Sequence, residues 1–264
     1  MKRIVLASVA LFLAAFAIPL LTAGRADPAP VQEEEFPQPA EPVFGEESED
    51  DNEKALPDEE ETVAILHQDE VLTLPLSEYL YGALSAEMPA LYPEEALKAQ
   101  AVAIRTLVEY AGKHPYHKEA ILCSDPKCCL AFTPLEEYRA SWGEEYEIYA
   151  ALVRDAVDGT EGEIVTYQGE PIEAVFFSAS PGRTRSAAEA WGTDVPYLQS
   201  VESPFDDEFP GGAHGHGVGM SQFGARQLAL DGFDHREILR WYYTGVEVVG
   251  GAVPVAPPAL VSIQ

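Results

Sequence analysis

The chain has 264 residues, of which 45 are Asp or Glu and 16 are Lys or Arg, giving a formal net charge of −29 at pH 7. Binding nucleic acid needs clustered cations that displace counterions from phosphate, and no run of Lys or Arg exists here, so that role is excluded. Hydrophobic residues at 47% suffice for a sizeable core, while three cysteines are too few for a disulfide scaffold.

The N-terminal 26 residues hold three cations, Lys2, Arg3 and Arg25, and no acid. Lys2 and Arg3 precede an uncharged apolar run from Ile4 to Leu21, the pattern of an export address. Its 18 positions approach the length that spans a bilayer, about 20 residues, while Ala23 and Ala26 permit cleavage. An uncleaved single-pass anchor and a cleaved signal are both expected readings, and either delivers the remainder to the membrane surface or the cell wall. Residues 27–61 then carry a net charge of −14 with six interspersed prolines. Such a stretch buries too little surface to offset its ordering entropy and reads as an extended tether. A single α+β domain with a substrate groove is expected over residues 62–249, followed by a flexible tail over 250–264.

Within that domain, Thr62 to Leu76 alternates around β-formers and is broken by His67-Gln68-Asp69-Glu70, which predicts a hairpin. A helix follows from about Ser77 to Met88, ended by Pro89. A second begins at Pro93, with Leu97, Ile104, Leu107, Val108 and Ala111 forming its apolar stripe. After a loop with His114, His117 and the cysteines, Leu135 to Tyr138 and Glu144 to Val157 read as helical. Glu163 to Tyr167 and Ile172 to Ser178 flank Gln168-Gly169-Glu170 as a second hairpin. Tyr197 to Val201 reads as a strand, and helices are expected over residues 222–230 and 235–243.

Three constellations carry chemistry. Glu87, at a helix end in Ala86-Glu87-Met88-Pro89 with Tyr79, Tyr81 and Tyr92 nearby, suits a partly desolvated general acid. A surface carboxylate is the plainer reading of that residue alone. His117, Cys123 and Cys129, with Cys128 adjacent, offer the donors zinc prefers, against a Cys123–Cys128 or Cys123–Cys129 disulfide as the alternative. The glycine-rich run from Gly215 to Gln222 lets backbone approach a ligand, and His216, Ser221 and Gln222 add polar contacts. It lacks the nucleophile-elbow spacing, and no His-Glu-x-x-His accompanies His214 and His216 to suggest a zinc peptidase.

Taken together, the motifs are more specific than any one of them. Tyr79-Leu80-Tyr81-Gly82-Ala83, Ala86-Glu87-Met88-Pro89, the run from Glu95 to Thr106, Pro196 to Val201, and Gly215 to Gln222 with Gly224-Ala225 resemble the SpoIID/LytB family of stage II sporulation protein D and the amidase enhancer. Glu237-Ile238-Leu239 before Tyr242-Tyr243 extends the likeness, which covers Val63 to about Val248. The resemblance implies a lytic transglycosylase acting on peptidoglycan glycan strands stripped of stem peptides by a partner cell-wall amidase, in wall remodelling such as sporulation engulfment, alongside a membrane partner. A noncatalytic wall-binding module that recruits an amidase is the rival reading.

By the same resemblance Glu87 is the catalytic acid and base, and Arg105, Ser178, His216, Ser221 and Gln222 line the saccharide groove or hold Glu87. A structural Zn2+ is implied on His117, Cys123 and Cys129, with Cys129 favoured over Cys128, no fourth ligand evident, and no metal required for the chemistry. The chain departs from the family pattern at Pro181-Gly182, where a Gly-Gly pair is usual, at Leu130, where Gln is usual, and in its short stretch between Val201 and His214. Residues 62–264 carry −18, so recognition of an anionic wall is expected to rest on hydrogen bonds and aromatic surfaces.

Overall fold

A computed structural model describes residues 61–203 and 206–251 of the chain. The segment expected to be an anchor or signal, nearly all of the tether, and the tail from residue 252 lie outside the described residues. Among the described residues, no helix is long and apolar enough to cross a membrane. What they form is an α+β domain of seven α-helices and eight short strands.

The first hairpin pairs β1 (Thr62–His67) with β2 (Glu70–Pro75) in antiparallel register, Thr62 opposite Pro75 and His67 opposite Glu70. Gln68 and Asp69 turn the chain with positive φ of 51° and 66°, a two-residue turn whose twist suits a hairpin. Pro75 ends β2 and leads directly into α1 (Leu76–Glu87). Helix α2 (Glu94–Lys113) follows Pro93, and Lys113 sits in its last turn where the helix dipole favours a cation.

Helix α2 organises the domain. Every residue from Ala99 to Val108 is buried, so the helix is enclosed on all sides rather than along one stripe. Its alanines let neighbours approach, and it touches α1, α4 (Tyr146–Asp158), α6 (Gln222–Leu230), α7 (His235–Tyr242) and β4 (Ile164–Tyr167). Two apolar cores lie against it. Leu97, Ile104, Leu107 and Val108 join α1, β1 and α4 in one. Ala99, Val102 and Ala103 join Val165, Met220, Leu239 and Tyr242 in the other.

Polar ties lock these layers. Arg105, 5% exposed, donates to the carbonyls of Val157 (3.0 Å) and Glu163 (3.2 Å), with Thr160 Oγ1 at 3.4 Å. Its guanidinium thus satisfies the carbonyl end of α4 where the chain turns into β4. At the start of α7, Asp234 caps the helix reciprocally with Glu237. His235 then bridges Glu95 of α2 and Glu163 at the mouth of β4, 2.9 Å from each carboxylate, and Arg236 adds a 2.8 Å contact to Glu163.

The second half departs from its expected strands. β4 turns at Gln168-Gly169 into a β5 of only two residues (Glu170–Pro171), and its other edge is taken by β8 (Glu247–Val249). Ile172 to Val175 run on without pairing as a strand, and β6 (Phe176–Phe177) pairs in parallel with β7 (Met220–Ser221). Tyr197 to Val201 is not a strand: the chain turns at Pro196-Tyr197, with Leu198 N–H bonding the Val195 carbonyl at 3.0 Å, and the Val201 carbonyl then accepts from Thr184 N–H at 2.9 Å. Its edge is covered by α5 (Ala187–Trp191), which begins at a Ser186/Glu189 capping box.

Replacing Arg105 by Leu leaves the buried Glu163 carbonyl without its donor, while the Val157 carbonyl keeps Thr160 N–H at 3.2 Å, and is expected to cost about 1–3 kcal/mol of stability, read as a lower urea midpoint at unchanged slope.

Candidate functional site

Helix α1 stops at Glu87 because Met88 precedes proline and is held extended (φ −135°, ψ 137°). The Glu87 side chain therefore leaves the last turn of a helix, beside backbone carbonyls that disfavour negative charge. It faces a cavity of ≈ 370 Å³ lined by residues 85–90 and by Trp142. One carboxylate oxygen, Oε1, accepts the Ala131 N–H at 2.8 Å, and Oε2 accepts the Gln222 amide at 3.4 Å. Burial pushes the Glu87 carboxyl above its ordinary value, and these two donors only partly oppose that effect.

Ala131 reaches Glu87 because its segment lies against α1. Leu130 and Phe132 are buried, with Phe132 stacked on Tyr79 at 5.3 Å between ring centroids. Leu130, where the family pattern has Gln, thus serves as an apolar anchor. Gly82 allows the approach, since a Cβ there would lie 2.6 Å from both the Phe132 ring and the Thr133 carbonyl. The other two tyrosines near Glu87 in sequence serve elsewhere. Tyr81 donates to Asp158 at 2.6 Å, and Tyr92 lies beneath the Arg226 guanidinium at 5.7 Å.

Gln222 is positioned by the glycine-rich loop and by a helix cap. Ser221 Oγ accepts the Gly224 N–H at 3.1 Å as the N-cap of α6 and donates to Asp206 Oδ1 at 2.8 Å. Gly219, at φ 78°, could not carry a Cβ without striking the Val175 carbonyl, so glycine is required where β7 meets β6. Asp206, fully buried in the short stretch between Val201 and His214, also accepts the Ser180 N–H at 2.6 Å. The sequence reading did not single it out; an acid in so acidic a chain carries no signal until its two donors are seen.

Of the five residues expected in the groove, only Gln222 contacts Glu87. Ser178 offers its carbonyl to Phe223 N–H at 3.0 Å, and Ser221 is spent on its cap. The His216 ring lies against Phe177 and Trp191, and its Nδ1 accepts the Val218 N–H at 3.1 Å. Burial lowers the pKa of His216 and keeps it neutral. Arg105 lies beside a different, larger cavity of ≈ 580 Å³ near the start of α1, with its donors directed at α4 rather than at Glu87. Its expected place in the groove is corrected accordingly: it is a buried brace.

The cysteine loop closes on itself. Cys123 lies on β3 (Leu122–Cys123), parallel to β1, and a turn at Asp125 returns Cys128 and Cys129 beside it, both N–H groups bonding the Asp125 carbonyl at 2.9 Å. His117 Nε2 is 3.6 Å from the sulfurs of both Cys128 and Cys129, which are 3.9 Å apart. With Cys123, all four donor atoms lie within 4.8 Å of one another, and the three thiols are unlinked. A tetrahedral zinc with bonds of about 2.3 Å to sulfur and about 2.0 Å to nitrogen sets sulfurs about 3.8 Å apart and nitrogen about 3.5 Å from sulfur. The donor set therefore fits that ion, and Cys128, passed over in favour of Cys129 on sequence grounds, belongs to the cluster with it.

Trp142 was not foreseen as part of the site. It ends α3 (Arg139–Trp142), 55 positions after Glu87 in the chain, and only the fold brings its indole to the Glu87 cavity.

Residues 67–167 match the model of the SpoIID family, described as Stage II sporulation protein. Stage II sporulation protein D of Bacillus subtilis (strain 168) is 41% identical over 143 residues, which are 53% of this chain and 42% of that protein. The chain thus spans less than half the length of that relative. The protein of the same name from Bacillus amyloliquefaciens is 28% identical over 258 aligned positions, covering 67% of this chain and 75% of its own. The amidase enhancer of Bacillus subtilis (strain 168) is 34% identical over 129 residues, 49% of this chain and 16% of that protein. Through the segment that carries Glu87 and the cysteine loop, the chain is similar to the SpoIID/LytB family of stage II sporulation protein D and the amidase enhancer.

Proposed function

We propose that the domain is a peptidoglycan lytic transglycosylase acting outside the cytoplasm, with Glu87 as its acid and base. The observation that carries this reading is a lone carboxyl, buried enough to favour its protonated form, in a cavity with an aromatic wall. Ordinary glycoside hydrolysis uses two carboxyls, one as acid and one to attack or to activate water. A single one suffices when the substrate supplies its own nucleophile. Protonated Glu87 gives its proton to the oxygen linking MurNAc to GlcNAc as that bond breaks. The resulting carboxylate takes the proton of the MurNAc C6 hydroxyl as its oxygen bonds C1. A 1,6-anhydro end forms, the leaving GlcNAc carries a hydroxyl, and Glu87 regains its proton with no water consumed.

The two oxygens divide this work. Oε1 faces a backbone N–H, which can only donate, so it stays an acceptor throughout. Oε2 faces an amide whose two ends interchange by rotation, so Gln222 can accept from the acid and donate to the carboxylate. Oε2 is thus the oxygen that carries the proton, and Gln222 is its positioning partner.

Zinc on His117, Cys123, Cys128 and Cys129 belongs to the same reading, as a structural ion that pins the loop and supplies no reaction step. Cys129 is two residues from Ala131, so fixing the loop fixes the N–H that orients Glu87. A relative named amidase enhancer favours a second reading, in which the domain recruits a cell-wall amidase without cutting glycan itself.

Glu87→Gln separates these readings, with loss of 1,6-anhydro products from denuded glycan by at least about 100-fold expected of a missing general acid; an inactive wild-type protein sinks the enzyme reading. Activity needs protonated Glu87, so the rate falls as pH rises through its raised pKa. Gln222→Leu removes a donor that lowers that pKa, and the fall is expected at higher pH. A raised folded pKa means that wild type loses stability as pH rises from the ordinary carboxyl range through the folded pKa, so Glu87→Gln should gain on wild type in unfolding midpoint over that rise. Elemental analysis is expected to find one zinc per chain, absent from Cys123→Ser; a metal-free protein with a disulfide overturns the assignment.

A further inference from the structure

We infer that Trp142 is the stacking platform of a subsite for one uncharged N-acetylhexosamine ring, next to the bond that Glu87 protonates. The inference rests on the glycan reading above. Among the described residues, Trp142 is the one that lines the Glu87 cavity from outside residues 85–90. Its indole is only half-buried, yet it is clamped: Tyr138 stacks at 4.7 Å and 30°, Tyr149 meets it edge-on at 5.5 Å and 80°, and Tyr146 lies at 6.1 Å. Arg139 caps the Tyr146 ring at 3.9 Å. With Tyr138 covering one face and Tyr149 and Tyr146 packed around it, the indole is held in place, and the part of it that lines the cavity is pre-organised for a flat apolar ligand. A pyranose with equatorial substituents presents such a surface, its axial C–H groups. Among the described residues the indole Nε1–H has no acceptor, which leaves a donor for an acetamido carbonyl or ring hydroxyl.

The rim selects the ring's charge. The helical turns that hold Trp142 expose Glu136, Glu137, Glu144 and Glu145. Arg139, in the same turns, is already engaged by Glu136 at 3.2 Å and Glu147 at 2.8 Å, and Arg154 lies 3.9 Å from Glu136. A carboxylate approaching this wall meets like charge, so the lactyl acid of a MurNAc ring is disfavoured here and a neutral GlcNAc ring is accepted. This orients the glycan strand, with GlcNAc on the Trp142 side of Glu87.

The probe is chitotetraose, an uncharged β-1,4-linked tetramer of N-acetylglucosamine, added to the full chain carrying Glu87→Gln so that turnover does not interfere. Calorimetry is expected to show binding that weakens about tenfold or more in Trp142→Ala and is largely kept in Trp142→Phe. The Trp emission change on saturation should vanish in Trp142→Phe and persist in Trp241→Phe. Unchanged affinity in a folded Trp142→Ala, an emission change surviving in Trp142→Phe, or no binding of the tetramer at all overturns the inference. Product analysis of denuded wall with the wild-type chain judges the transglycosylase separately. Trp142-dependent binding without anhydro products leaves the subsite standing and removes the enzyme, and the reverse pattern does the opposite.

Discussion

The fold depends on enclosing one helix completely. With Ala99 through Val108 all buried, α2 has no solvent face, and each side of it must be covered by a different part of the chain. The first half of the domain covers one side and the second half the other, each with its own apolar core. Alanine at positions 99 and 103 keeps the helix thin on the side where it packs with residues of α6 and α7. Polar groups on so enclosed a helix need partners within the protein. Arg105 meets that need at the end of α4, and Thr106 does so through Val102 O and Val165 N–H, at 2.7 and 2.9 Å. These bonds also fix where β4 starts.

Enclosing α2 from both sides brings Glu87 and Gln222 together. Glu87 belongs to the first half and Gln222 to the second, and their contact spans 135 positions of chain. The site is therefore a seam, with one carboxylate oxygen held by a loop of the first half and the other by a helix N-terminus of the second. Its electrostatics follow from that placement. Burial raises the proton affinity of Glu87, and two donors moderate the rise without cancelling it. A group so poised costs some stability when ionised, as is common where chemistry demands an unfavourable environment.

The cysteine loop works on the same residue from another direction. Four donor atoms converge within 4.8 Å, and the chain then passes through Leu130 and Ala131 to Phe132. Two buried apolar side chains flank the one backbone N–H that Glu87 needs. The donor cluster and the apolar packing are thus consecutive along the chain, next to the N–H that Glu87 accepts.

Local patterns were legible wherever one short segment contains the whole cause. The hairpin at Gln68-Asp69, the stop of α1 before Pro89, the start of α2 after Pro93, and α6 and α7 all follow from turn chemistry, proline sterics and periodicity. Glu87 and three of the four cluster donors could be named from motif likeness. Strand pairing in the second half could not, because β6, β7 and β8 are two or three residues long and gain their stability from partners distant in sequence. The roles of Arg105 and Ser221 were misassigned for a related reason: a polar residue in a motif reads the same whether it faces a ligand or satisfies buried backbone. Asp206 and Trp142 carry no local signal at all. The sequence by itself determined the acidic, proline-rich composition of residues 27–61, the α+β class and the contiguous motif that carries Glu87, since each is written in composition or local pattern. The tertiary structure alone decided which donors hold Glu87, that Cys128 joins His117, Cys123 and Cys129 in one cluster of donor atoms, and that Trp142, 55 positions away, lines the cavity, because these rest on long-range packing that no local pattern encodes.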